Sequence, residues 1–382
     1  MLLKSIQYAQ WEGTSLEWRL EGCTLGNINL IVGKNATGKS RALNIIGNLA
    51  NQLCGDRSPS LSGTYEVLFD KNGHDVEYTL KYKNSKVVRE RLDIDGENLL
   101  TRGAKGAGRI YYEQLKQKVR FQAPQNQVIS VARRDSIQHP FLEDLYNWGK
   151  STRRYYFGAD LGKSQLASIV KDKARAERQV LNPKDTRMVV PIFREGRKRF
   201  GSMFTESLRR DMAAIGYDLT DIDVGPLVSV VFETNLPGEI VGLYVQEADL
   251  KGKTDQSDMS QGMFRALSLI IQMTYSQMTG EASCILVDDI GEGLDYERST
   301  ALVKLLIERA KETSIQLIMA TNDRFVMNNV PLGYWSVIQR MGSISKIYNY
   351  RNSQKIFDEF TLTGLNNFDF FANKLYESQV DD

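Results

Sequence analysis

Gly33-Lys34-Asn35-Ala36-Thr37-Gly38-Lys39-Ser40 has the residue types and spacing that hold phosphate. It fits G-x-x-x-x-G-K-[ST]. In that pattern a glycine-rich turn aims backbone N–H groups at an anion, a lysine reaches the outer phosphates, and a hydroxyl follows for Mg²⁺. Such a loop needs a strand before it and a helix after it, because free N–H groups and the helix dipole both favour negative charge there. Ile28-Asn29-Leu30-Ile31-Val32 reads as a buried strand, and Leu43, Ile46, Leu49, Ala50 and Leu53 fall on one helix face.

Three further stretches carry polar groups suited to the same chemistry. Ser283-Cys284-Ile285-Leu286-Val287-Asp288-Asp289 is an apolar strand ending in two carboxylates. Acids at the carboxyl end of a parallel strand line the crevice where ligands bind. Asp288 would hold Mg²⁺ through water, and Asp289 would orient and polarise the attacking water; the alternative is a pair that caps the next helix. A helix with Ala301, Leu302, Leu305 and Leu306 on its apolar face leads to a second strand, Ile315 to Ala320, which ends in Thr321-Asn322-Asp323. Strand, helix, strand at this spacing is a βαβ unit of a parallel sheet. Met259-Ser260-Gln261-Gly262-Met263-Phe264-Arg265 heads an apolar helix through Ile271. Its Ser and Gly offer a hydroxyl and free N–H groups, as a second anion site or simply as an N-cap.

The elements that position these groups follow from pattern. Leu2 to Ile6 and Leu16 to Leu20 read as strands before the P-loop strand. From Thr64 to Ile94 the period changes to two, and Asn72-Gly73 and Asp95-Gly96 are hairpin turns, so an antiparallel meander with a solvated face is expected. Gly103 to Arg109 reads as a glycine-rich mobile loop, with phosphate contact as the alternative. Val128 to Ala132 reads as a short buried strand, and Arg133-Arg134-Asp135 after it either lines a crevice or pairs on the surface. From Phe141 to about Tyr217 the pattern is helical and basic, with clusters at Lys150 to Arg154, Lys171 to Arg178 and Arg194 to Arg199. These could meet phosphate backbones or form a solvated helix face. Strands return at Leu227 to Glu233 and at Ile240 to Gln246.

Composition narrows the class. The chain has 382 residues, enough for one large domain or two moderate ones, and its 42% hydrophobic content is that of a soluble globular protein. A net charge of +2 points to neither nucleic acid nor membrane. Cys23, Cys54 and Cys284 form no disulfide or zinc pattern, which fits a reducing cytoplasm. No run is long enough for a signal peptide or a membrane span, so no membrane partner is expected.

Taken in order, the four polar stretches resemble the ABC-type ATPase head, in its RecF/SMC-like and OLD-like AAA-15/AAA-21 branch. The Walker A motif is residues 33-40, the signature Leu-Ser-Gly-Gly-Gln is similar to Met259 to Met263, Walker B ends at Asp288, and the D-loop matches Leu294-Asp295. The likeness is good over about 1-60 and 225-325 and holds only in outline between them. It implies an α/β P-loop NTPase fold: an ABC-ATPase-like head with a mixed sheet, an antiparallel β meander and an inserted helical lobe. The division expected is 1-140 for the N-terminal part of the head, 141-224 for the lobe and 225-382 for the C-terminal part.

The resemblance also implies ATP and Mg²⁺. ATP would meet Gly33, Lys34, Asn35, Ala36, Thr37, Gly38, Lys39, Ser40 and Arg41. Mg²⁺ would be held by Ser40 and Asp288, and Lys39, Asp289 and Asn322 would act on the reacting phosphate. Ser260, Gln261 and Gly262 would close the nucleotide of a second copy, with Asp295 in the D-loop, so a head-to-tail homodimer or higher homo-oligomer is implied. Three features depart from the family. Asp289 stands where Glu is usual, which predicts slow hydrolysis. Asn322 stands at the switch position, often His, and cannot serve as acid or base. The Q-loop glutamine is open among Gln122, Gln125 and Gln127. About 60 residues follow Asp323, too few for the nuclease of the OLD-like relatives, and they carry an aromatic run from Leu365 to Phe371 that reads as a packed helix or a docking surface. Members without a nuclease often sit beside an effector in bacterial anti-phage defence, the leading context. The alternative is a DNA-clamping repair or structural ATPase that uses the basic lobe.

Overall fold

A computed structural model of the chain describes residues 1–169, 181–227, 229 and 239–377. By packing, the chain forms two units. The first is Met1–Thr152, Ser283–Leu286 and Ser314–Asp382, and the second is Arg153–Ala282 and Val287–Thr313.

The first unit is built on strands β1 (Leu2–Gln10), β2 (Trp18–Thr24) and β3 (Ile28–Val32), helix α1 (Lys39–Leu53), and a run of six strands. That run is β4 (Ser62–Lys71), β5 (His74–Lys83), β6 (Lys86–Ile94), β7 (Glu97–Arg102), β8 (Ala107–Tyr112) and β9 (Gln117–Gln122). β3 lies between two parallel neighbours, Gln316–Thr321 and Trp335–Met341, with Ile31 opposite Ala320 and Ser336. Ile344–Asn349 then runs parallel to β2, and β2, β1 and β4 to β9 continue antiparallel to a free edge at β9. The sheet is therefore mixed, and all five residues of β3 are buried because both faces of a central parallel strand are covered.

The helix face expected after the P-loop is the core: Leu43, Ile46, Leu49, Ala50 and Leu53 are all buried in α1. The helix Phe141–Ser151 packs on α1 so closely that a Cβ on Gly149 would lie 2.4 Å from the Ala50 carbonyl oxygen. The meander alternates as its period predicts. Asn72-Gly73 and Asp95-Gly96 have the left-handed φ of type I′ turns, and Asn84-Ser85 makes a third such turn without glycine. β6 and β7 are joined by a fully buried cross-strand ion pair, Glu90 with Arg102, which also holds the backbone of Pro124, Gln127 and Ile129.

Two local expectations are corrected. Val128 to Ala132 is not a strand: Ile129–Ala132 is a helical turn, started by an Ile129 N–H bond to Glu90 Oε1 (2.8 Å) and tied to α1 by Ser130 Oγ donating to Leu53 O (2.9 Å). A short apolar run has no period that separates the two conformations. The segment after Ser151 is not helical throughout, since Thr152–Tyr156 and Ala167–Ile169 are strands. The Arg133-Arg134-Asp135 run is engaged on the surface: Arg134 pairs with Glu143 at 2.9 Å, Arg133 donates to Gln122 O, and Asp135 accepts from the N–H groups of Ile137 and Gln138. The loop expected at Gly103 to Arg109 is shorter: Gly103 to Gly106 is a turn, held by Gln122 Nε2 to Lys105 O (2.6 Å) and Gln125 Nε2 to Ala104 O (3.2 Å), and Ala107 to Arg109 already belong to β8. The aromatic run is packed: Phe370 is buried with ring centroids 4.8 Å from Phe357 and 4.9 Å from Phe360, and Asn366 and Asp369 cap its helix reciprocally.

The second unit holds the helices Val189–Phe200, Ser202–Ala214, Gln261–Thr279 and Tyr296–Lys311. With them is a small antiparallel sheet in which Glu239–Glu247 lies between Ala167–Ile169 and Leu219–Pro226. The strand expected at Ile240 to Gln246 is part of this sheet. The one expected at Leu227 to Glu233 falls largely outside the described residues, as does the Lys171 to Arg178 cluster. Among the described residues no helix is long and apolar enough to cross a membrane.

Candidate nucleotide site

The first unit presents the candidate phosphate loop. β3 ends at Val32, and α1 begins at Lys39 with Gly38 at φ 111°, no side-chain cap and no acidic residue in its first turn. An uncapped helix start with no carboxylate leaves its N–H groups and its dipole to an external anion. Ala36 is also left-handed, at φ 64°, so the loop curls its amides toward one side. Glycine at 33 is required by close approach, because a Cβ there would lie 2.7 Å from Thr37 Oγ1 and 2.8 Å from Ile338 O. Thr37 braces the turn by donating to Lys34 O (2.8 Å), and Ser345 Oγ donates to Thr37 O (2.8 Å).

Lys39 is only 7% exposed, and its ammonium donates to Gly33 O (2.7 Å) and Lys34 O (3.1 Å), so the loop wraps the cation it would offer to phosphate. Ser40 follows as the second residue of α1. Asn322, just past the neighbouring parallel strand, donates from Nδ2 to Asn35 Oδ1 (3.2 Å). That bond brings a side chain 287 residues away in sequence onto the loop. Arg41 turns aside: its guanidinium carbon lies 3.8 Å over the Trp18 ring, it donates to Gln10 Oε1 (2.7 Å), and burial lowers its pKa.

The second unit gathers the other candidates. Asp288 ends its strand almost fully buried, its carbonyl accepts the Phe157 N–H (2.9 Å), and Arg154 Nη2 stands 3.7 Å from its carboxylate. Burial lowers the Arg154 pKa, and the guanidinium stacks 4.1 Å over Tyr156. Asp289 adopts φ 54°, a left-handed conformation that aspartate tolerates better than most residues, and its carbonyl starts a turn closed by the Glu292 N–H (3.2 Å). Ser260 caps its helix by accepting from the Met263 N–H (3.2 Å), with exposed Gln261 next in line. Gly262 packs directly on the loop after Asp289, where a Cβ would lie 2.5 Å from Gly293 O. Asp295 caps the next helix; the Arg298 N–H (2.9 Å) and the Arg298 guanidinium hold its carboxyl below the usual range.

The loop residues Gly33 to Ser40 and Asn322 thus come together in the first unit, with Arg41 turned onto Trp18 and Gln10, and Ser260, Gln261, Gly262, Asp288, Asp289 and Asp295 lie in the second. Arg154 and Arg265 were not singled out in the sequence as site residues. Arg154 stood only as one member of a basic cluster, and nothing in its spacing tied it to Asp288.

The family model described as "AAA domain, putative AbiEii toxin, Type IV TA system" matches residues 28–328. The chain belongs to this AAA ATPase family. Among solved structures it is similar to an Smc head bound to the C-winged helix domain of ScpA, with a TM-score of 0.51, 14% identity and coverage of 91% of this chain and 97% of that one. It is also similar to the SMC head domain from Thermotoga maritima, with a TM-score of 0.46, 15% identity and coverage of 91% and 99%. At such identity the likeness concerns the fold alone: a mixed α/β ATPase head. No curated protein matches the chain.

Proposed function

We propose that this family member binds and hydrolyses ATP as a molecular switch, closing head-to-tail on a second copy and controlling a partner effector. The observation that carries this reading is the phosphate loop: an uncapped helix start, a buried Lys39 ammonium wrapped by loop carbonyls, and Asn322 bonded to Asn35. In this reading Gly33 to Ser40 bind ATP while Arg41 is held on Trp18 and Gln10, Lys39 and Asn322 contact the outer phosphate, and Asp289 orients water. Ser40 and Asp288 take Mg²⁺, which supplies charge neutralisation when bound. Among the described residues no group of three or more His, Cys, Asp or Glu is placed to hold a metal. The family description names a toxin–antitoxin system, which supports a setting in bacterial anti-phage defence with an effector partner. Cys23, Cys54 and Cys284 are all buried as thiols, which suits a cytoplasmic protein.

The DNA-clamp alternative draws less support. In the second unit Arg197 pairs with Asp223, Arg187 with Asp185 and Arg309 with Asp211, so these cations are matched by acids instead of being displayed for a phosphate backbone. DNA binding that weakens steeply with salt and needs the basic lobe would reverse this order of preference.

Two experiments test the switch. Asp289→Asn should bind ATP as tightly as the parent and lose about 100-fold or more in turnover, because the water loses its general base; full turnover would move that role to another acid. In this slow variant Mg-ATP should double the solution mass, measured by light scattering, and adding Ser260→Arg should prevent the doubling. Dimers that persist in the doubly substituted protein would remove the signature assignment.

A further inference from the structure

Arg265 lies one turn into the helix that Ser260 caps, and its guanidinium is used entirely on backbone. Nη2 donates to Gly158 O (2.7 Å), Nε to Ala159 O (3.0 Å) and Nη1 to Glu292 O (3.1 Å). The three acceptors come from two separate segments, and each segment is fastened to the strand end that carries the paired acids. Gly158 follows Phe157, whose N–H bonds to Asp288 O (2.9 Å). Glu292 closes the turn that begins at Asp289. The side chains crowd the two glycines: a Cβ on Gly293 would lie 2.8 Å from Arg265 Nη1, and one on Gly158 would lie 2.5 Å from Glu292 Oε2, so either would push a side-chain end aside. Asp289 sits within this brace in a left-handed conformation, which still costs a non-glycine residue free energy that the surrounding contacts offset.

A planar guanidinium can span three carbonyls in fixed directions; an ammonium on a flexible stem cannot hold the same three at once. We propose that Arg265 is a positioning residue. It fixes the Asp289–Glu292 turn to the serine-headed helix, so that engagement of Ser260 sets the geometry of Asp289 for hydrolysis. This rests on the ATPase reading above and adds to it the route by which the signature would act on the acid. A displacement of the acid by about 1 Å is enough to lose roughly 100-fold in rate.

The experiment compares the parent with Arg265→Ala and Arg265→Lys in the full chain, measuring ATP affinity, turnover and ATP-dependent mass. Arg265→Ala should keep ATP affinity within about threefold and still double its mass with Mg-ATP, because the phosphate loop and Ser260 are intact, while kcat falls about 10- to 100-fold. Arg265→Lys should recover little. Millimolar guanidinium added to Arg265→Ala should restore part of kcat, a result that loss of folding stability would not give because guanidinium lowers stability. Unchanged kcat in Arg265→Ala, or a fall in kcat that disappears once the unfolded fraction is subtracted, would overturn the proposal. A parent protein with no hydrolysis, and no change on Lys39→Ala, would instead overturn the ATPase reading on which the proposal stands.

Discussion

Lys39→Ala is expected to abolish ATP binding, with affinity down at least about 100-fold and no measurable hydrolysis. The side chain is buried against the loop, where it satisfies Gly33 O and Lys34 O. With nucleotide present the same ammonium would exchange these partners for phosphate oxygens, and each charge-assisted bond of this kind is worth about 1.5–3 kcal/mol. Alanine removes the cation and leaves the backbone amides of the loop and the α1 dipole to hold the phosphates alone. Those contacts are individually weaker and more readily screened. Titration with a fluorescent ATP analogue measures the loss directly. Unchanged affinity would mean that the loop does not hold phosphate, and every role assigned from it would fall. The fold should survive, because Lys39 lies at the mouth of the helix, away from the apolar face formed by Leu43, Ile46 and Leu49.

Much of the first unit was legible in the sequence because its signals are local. β3 is an uninterrupted apolar run, α1 has a clean helical face, and the meander carries Asn-Gly and Asp-Gly turns. The carboxylates at Asp288 and Asp289 were likewise announced by the strand they terminate. What escaped depends on partners distant in sequence. Ile129–Ala132 takes a helical turn because Glu90, thirty-nine residues earlier, accepts its first N–H. Arg154 and Arg265 look like any surface arginines until the chain brings Asp288 to the first and the Gly158, Ala159 and Glu292 carbonyls to the second. The small sheet of the second unit was missed in part because Ala167–Ile169 is too short to show a period.

Arg102→Leu is expected to destabilise the first unit by about 3–5 kcal/mol, the usual penalty for breaking a buried ion pair by removing one partner. Glu90 and Arg102 are both fully buried, 3.1 Å apart. The other bonds of Glu90 come from the Tyr78 hydroxyl and the Ile129 N–H, both at 2.8 Å. Burial already raises the Glu90 pKa; the Ile129 N–H, Arg102 and Tyr78 oppose that shift. Leucine leaves the carboxylate without its cation and leaves the Pro124 and Gln127 carbonyls without their donor. All four tryptophans, Trp11, Trp18, Trp148 and Trp335, belong to the first unit, so their fluorescence during urea unfolding reports on it selectively. The pH dependence separates a lost charge partner from a mere packing defect. With Arg102 gone the folded-state pKa of Glu90 rises further above its unfolded value. Its stabilising contribution is then complete below the unfolded pKa and is lost as pH rises through the folded one. The deficit should therefore shrink as pH falls from 7 toward 5, where Glu90 takes up a proton, and adding Glu90→Gln should recover part of it at pH 7. A deficit that stays the same across this range would show that the cost lies in packing and in the orphaned carbonyls instead of the carboxylate.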